Sequence, residues 1–159
     1  MSEKTRAAVV RPGEGETMEG PVGGPLTFKI RAVGSGGSLT AFENVIPPGQ
    51  GPPLHSHADE DESWYVLEGS LRFRLGDELA EAPAGTFVFV GRGTPHCFHN
   101  AGDEPARILV LFTPAGMESF FDGFAELGPG TADPADFARL GEPAGMKVLG
   151  PPLAAANPG

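Results

Sequence analysis

The chain has 159 residues, enough for one domain with a substantial core, and its 21 acidic against 11 basic side chains leave a formal net charge of −10. That balance argues against a nucleic-acid partner, which needs a basic patch to neutralise phosphates, and no basic amphipathic stretch suggests a membrane surface. No apolar run approaches the ~20 residues of a transmembrane helix, the first residues lack the long apolar segment of a secretory signal, and the one cysteine, Cys97, has no internal partner; a cytoplasmic location is the expectation.

Read in chain order, 24 glycines and 17 prolines punctuate short apolar runs at fairly even spacing, which is the habit of an all-β sandwich or barrel. Residues 1–24 are expected to be irregular apart from a short strand at 7–10. Strands are predicted at 26–33, 38–46, 63–67, 70–75, 78–82, 86–90, 97–100 and 106–112. Leu71, Phe73 and Leu75 share one face of their strand, Arg72 and Arg74 the other. Glu68-Gly69 and Gly76-Asp77 fit hairpin turns. With no helix between them, these strands should pair antiparallel. Helical periodicity begins only at 117–127, where Phe120, Phe121, Phe124 and Leu127 fall on one side. A second helix is expected at 135–140, after the capping pair Asp133-Pro134, and 151–159 read as a tail. The organisation is therefore an N-terminal segment (1–24, a possible dimer-contact strand), a β-barrel (25–115) and a C-terminal helical segment with tail (116–159).

Gly49, His55, His57, Glu62 and Gly69 form the pattern G-x5-H-x-H-x4-E-x6-G. Histidines at i and i+2 of an extended segment point to one face, and a carboxylate past a short turn can return to it. Two imidazoles and a carboxylate suit a divalent transition metal. A second pattern runs from Gly85 through Gly91, Gly93 and His96 to Asn100.

Together the two stretches resemble the paired motifs of the cupin superfamily. The first motif is met at every fixed position; the second, G-x5-P-x-G-x2-H-x3-N, departs only where Gly91 stands for a proline that shapes a turn. The resemblance covers roughly residues 26–113 and implies an antiparallel double-stranded β-helix, or jelly roll. It implies one divalent transition metal (Fe, Ni, Mn, Cu or Zn) held by His55, His57, Glu62 and His96. Four protein ligands leave an octahedral ion two open positions, whereas structural zinc sites usually recruit thiolates. Cys97 adjoins His96 on a strand, so it should face away and pack as an apolar residue. His99 should also face away from the metal. Asp61 is the reserve ligand, at the family's other allowed spacing, and Asp59 and Glu60 are expected to be solvated or to support the ligands from behind.

By strand parity, Trp64, Val66 and Phe98 lie on the metal face, and Phe28, Phe42, Phe73, Phe87, Phe89 and Phe112 are candidates for the interior. Trp64, Phe98, Phe112 and Phe42 are the expected pocket wall for a small-molecule substrate. The loop at 34–37 and the 117–127 helix are expected at the pocket mouth. The chain is similar to small cupins compared with flavonol (quercetin) dioxygenases, including the Val66-Leu67-Glu68-Gly69 strand end and the stretch from Pro95 to Asn100. That likeness implies dioxygenase chemistry on an aromatic or enolic metabolite, with Glu62 as ligand and base. The alternatives are a metal-dependent isomerase, cyclase or lyase, and a metabolite-binding module without catalysis. It also implies a homodimer.

Overall fold

The computed structural model describes residues 6–128 and 133–153. Eleven strands are present among them: β1 (Glu16–Glu19), β2 (Pro25–Ile30), β3 (Thr40–Ile46), β4 (Pro53–His57), β5 (Asp61–Glu68), β6 (Ser70–Leu75), β7 (Glu78–Pro83), β8 (Phe87–Val90), β9 (His96–His99), β10 (Ala106–Thr113) and β11 (Met146–Pro152). They form a six-stranded sheet, β1-β2-β3-β10-β5-β8, and a five-stranded sheet, β11-β4-β9-β6-β7, with every pairing antiparallel. This is the antiparallel all-β architecture that the strand pattern predicts, in the jelly-roll form that the resemblance implies. Alternate residues of the two sheets meet to form the core: Phe42 on β3, Trp64 and Val66 on β5, Phe73 on β6, and Ile108, Val110 and Phe112 on β10. One hairpin turn shows why a glycine is needed. Gly69 has φ of 75° and packs so closely on Ala106 that a Cβ there would lie 3.0 Å from its Cα.

Several expectations need correction. Residues 7–10 form no strand; the strand of the N-terminal segment is β1, which pairs with β2 of its own chain. The 26–33 strand stops at Ile30, and Ala32–Ser35 closes one helical turn, α1. The C-terminal segment is not only helix and tail. β11 spans Met146–Pro152 and pairs with β4, setting Met146 opposite His57 and Val148 opposite His55. Only 151–153 of the expected tail belong to the described residues, and they continue or follow that strand.

Phe87 and Phe89 do not line the interior. They stand 61% and 57% exposed on β8, the edge strand, because Val88 and Val90 take the inward positions. Pairing sets Phe87 beside Tyr65 and Phe89 beside Ser63 on the outer face.

The C-terminal helices follow their sequence signals. In α2 (Glu118–Leu127), Phe120, Phe121 and Phe124 are buried. Phe121 meets Phe42 edge-on, with ring centroids 4.8 Å apart, and also contacts Phe28 and Phe112; such ring pairs contribute about 0.5–1.5 kcal/mol each beyond their buried area. Glu118 ties the start of α2 to the barrel by accepting hydrogen bonds from the Ala32 amide at 2.8 Å and from the Thr40 hydroxyl. In α3 (Pro134–Gly141), the Asp133 carboxylate accepts from the Ala135 amide, the Asp136 carboxylate accepts from the Asp133 amide, and Pro134 occupies the first turn. Together the helices cover one opening of the barrel.

Candidate metal centre

β4 lies between β11 and β9, so its backbone is held on both sides. His55 and His57, two positions apart on it, turn inward, and His96 on β9 sits in register opposite His55. Glu62 arrives from the other sheet, where it pairs with Phe112 and Val90. The cluster thus bridges the two sheets. Ligand atoms of His55, His57, Glu62 and His96 all lie within 4.8 Å of one another, and all four side chains are buried.

The hydrogen bonds decide which nitrogens face inward. A carbonyl oxygen can only accept, so His55 Nδ1, 2.7 Å from the Pro53 carbonyl, carries a proton, as does His96 Nδ1, 2.9 Å from the Thr94 carbonyl. The Nε2 lone pairs of neutral His55 and His96 are then left for the cluster, the usual backing of a metal-ligating histidine. His96 Nε2 lies 3.0 Å from Glu62 Oε1, and His57 Nε2 lies 3.1 Å from the same oxygen. The His57 contact is close but not aligned as a hydrogen bond, and neither of its ring nitrogens has a partner.

A neutral imidazole lone pair facing a carboxylate oxygen at 3.0 Å is repulsive unless a proton or a cation sits between them. One divalent ion would satisfy all four groups at once, and with imidazole and carboxylate donors the residues fit such an ion. The electrostatics without metal agree. Burial, followed by the neighbouring His96 and His57, pushes His55 down to about 3, so it stays neutral and able to ligate. Burial works against the Glu62 carboxylate, but the His57 and His96 contacts more than offset it and hold Glu62 at about 2. His96 is raised despite its burial, because Glu62 stabilises its protonated form.

The neighbouring acids sort themselves by partner. Asp61 is not a ligand: its carboxylate accepts from the Arg92 backbone amide at 2.9 Å and side chain at 3.3 Å, outside the cluster. Asp59 is exposed, whereas Glu60 is buried with its Oε2 unpartnered, against any reading of it as a solvated loop residue. Cys97 faces away and packs with Leu54 and Leu153, and burial raises its thiol. His99 stays outside the cluster. Gly91, in place of the motif proline, still begins a turn, since the Thr94 amide donates to its carbonyl and the Gly93 amide reaches the His57 carbonyl at 2.7 Å.

Above the cluster opens a cavity of about 60 Å³. Its wall includes Phe42, Trp64, Phe98 and Phe112, together with His55, His57 and Glu62. Met117 at the start of α2, Phe120 and Phe121 within it and Phe137 from α3 close it, whereas residues 34–37 do not reach it. Sequence reading missed Val22, Leu26 and Asn44 as lining residues. The parity of Phe42 and Ile46 on β3 carries the signal for Asn44, since the residue midway between them must share their face. A cavity this small falls below the usual size of a ligand pocket.

Residues 42–112 match the cupin domain family. A tetracenomycin polyketide synthase protein, TcmJ, of Streptomyces glaucescens is 29% identical over 114 residues, covering 70% of this chain and 76% of that protein. Protein MJ1618 of Methanocaldococcus jannaschii is 33% identical over 72 residues, 45% of this chain, and the match spans only 58% of its length. Among solved structures, one described as a predicted oxalate decarboxylase from Thermotoga maritima superposes with a TM-score of 0.61 at 23% identity, covering 67% of this chain and 99% of that one. At that identity the likeness is one of fold. With the matched domain and the motif residues drawn into one cluster, residues 42–112 form a cupin domain.

Proposed function

We propose that this chain is a metal-dependent enzyme acting on a small aromatic or enolic molecule, with dioxygenase-type oxidation as the first reading. The observation that carries it is a buried three-histidine, one-glutamate cluster opening into a cavity walled by aromatic side chains. His55, His57, Glu62 and His96 would hold the ion, which supplies Lewis acidity and, if redox-active, electron transfer to dioxygen.

The remaining work falls to the chain itself. Phe42, Phe98 and Phe112 offer flat apolar contact to a ring and exclude water from the cluster. Trp64 backs His96, with ring centroids 5.4 Å apart, and limits how the imidazole can turn. Glu62 uses Oε1 toward both histidines, which leaves Oε2 as the oxygen to receive a substrate proton. Held at about 2 in the metal-free site, Glu62 is a weak base, so its role as base is the most demanding part of the proposal.

The test is oxygen uptake by metal-loaded protein with a flavonol or an enediol. Uptake in the native protein that falls roughly 100-fold or more in Glu62→Gln, with metal retained, supports both oxidation and the base role. Unchanged uptake in the variant removes the base role, and no uptake with any metal removes the oxidative reading.

A second reading has its own support. The TcmJ relative is a polyketide synthase protein, and a poly-β-ketone is a string of enolisable carbonyls. The same residues would then serve isomerisation, cyclisation or cleavage without oxygen, detected as turnover under anaerobic conditions. Tight binding with no turnover under either condition would instead favour a metabolite-binding module.

A further inference from the structure

The inward rows of the six-stranded sheet give the cavity a polar end that the cluster does not explain. Thr40, Phe112, Glu62 and Val90 lie side by side across β3, β10, β5 and β8; Phe42, Val110, Trp64 and Val88 form the next inward row, and Asn44, Ile108 and Val66 the one after. Each row is two residues from the last, so Asn44 stands roughly 13 Å along the strands from the level of Glu62.

Asn44 is 4% exposed and lines the cavity among apolar neighbours, and its Nδ2 has no hydrogen-bond partner. A buried amide left in this state costs stability and calls for an explanation. Gly20 packs directly against it: a Cβ there would sit 2.9 Å from that nitrogen, so a side chain at position 20 would displace the amide. The Trp64 indole N–H is also unpartnered, but it belongs to the row nearer the cluster and its ring already contacts His96.

We infer that Asn44 is a ligand-recognition residue, whose amide donates a hydrogen bond to an acceptor oxygen at the end of the ligand remote from the metal centre. The ligand class follows: an apolar, ring-bearing molecule with a carbonyl or ether oxygen on the side away from the cluster. This deepens the proposed function by rejecting the plain hydrocarbon analogue. A site built to bond a substrate oxygen discriminates strongly against the molecule that lacks it, because the buried donor is then left bare.

The experiment uses EDTA-treated protein and a matched pair of probes, acetophenone and ethylbenzene, with the emission of Trp64, the chain's one tryptophan, as the binding signal. Native protein should bind the ketone roughly fivefold or more tightly than the hydrocarbon, the range of one net hydrogen bond. Asn44→Leu, of similar shape, should erase that preference while keeping the hydrocarbon affinity. Its Tm should stay the same or rise by a few degrees, because an unpartnered amide is replaced by an apolar group. The inference is overturned if native protein shows no ketone preference, absence of binding included, or if the preference survives in Asn44→Leu. A marked fall in Tm of that variant also overturns it, by showing the amide to be structural. Loss of the metal reading would appear instead as failure to retain metal, and leaves this comparison, made without metal, intact.

Discussion

Two of the buried polar centres in this barrel, Asn100 and the histidine–glutamate cluster, are built in opposite ways. Asn100 is fully used: its Nδ2 donates to the Ile46 carbonyl at 3.0 Å and the Glu104 carbonyl at 2.8 Å, and its Oδ1 accepts from the Gly102 amide at 3.0 Å. Its backbone also exchanges hydrogen bonds with Gly49 and Gln50. The His55–His57–Glu62–His96 cluster leaves both His57 ring nitrogens without hydrogen bonds and crowds three imidazoles around one buried carboxylate. Both centres come from motif residues, but one consumes its polar atoms in holding loops together and the other keeps them available. A saturated buried side chain reads as structure; an unsaturated one reads as a site awaiting a partner.

The sharpest way to break this contrast is to remove one member from each centre. His57→Ala takes away a proposed ligand whose ring makes no hydrogen bond. Metal affinity should fall by at least about 100-fold, the upper range seen even for groups that only support ligands. The fold should survive. Metal content after dialysis, measured by elemental analysis, checks this, and full retention would sink the ligand assignment. Asn100→Ala should do the reverse. It strands the Ile46 and Glu104 carbonyls and the Gly102 amide, costing about 3 kcal/mol of stability in urea unfolding while leaving metal stoichiometry unchanged. Metal loss from folded Asn100→Ala would erase the distinction between the two centres.

How much of this was readable in advance depended on whether spacing or surroundings set the outcome. The four cluster residues were legible because period-two alternation and motif spacing fix which side chains share a face. The α3 cap was legible because Asp133-Pro134 acts locally. β11 was not, since Gly150-Pro151-Pro152 carries the composition of a loop and becomes a strand only because β4 offers an unpaired edge. Phe87 and Phe89 misled for a related reason. All four residues of β8 are apolar, so hydrophobicity gives no parity, and the register with Ser63 and Tyr65 decides which pair faces out. The unpartnered burial of Asn44 and Glu60 has no sequence signal, because burial without a partner is a property of the folded chain.

Acid supplies the smallest and most discriminating effect. In metal-free protein, His55 titrates at about 3 rather than near its ordinary 6.5, so between those values the unfolded chain binds a proton that the folded chain does not. Stability must therefore fall as pH drops through that window. Glu62 acts in the same direction: held at about 2 against an ordinary 4.5, its contribution is complete above 4.5 and is lost as pH falls toward 2. His96 opposes them. Its raised value makes its contribution complete below 6.5 and lost as pH rises through the folded value. The combined contribution of these three groups is greatest near pH 6.5 and declines toward pH 4.5. Asn100 has no proton to exchange, so Asn100→Ala should lower the whole curve without changing its shape. Urea midpoints at pH 4.5, 5.5 and 6.5 for both proteins measure this directly. A native curve flat across that range would mean that His55 is not held neutral and buried when the site is empty of metal, and the contrast with Asn100 would lose its electrostatic half.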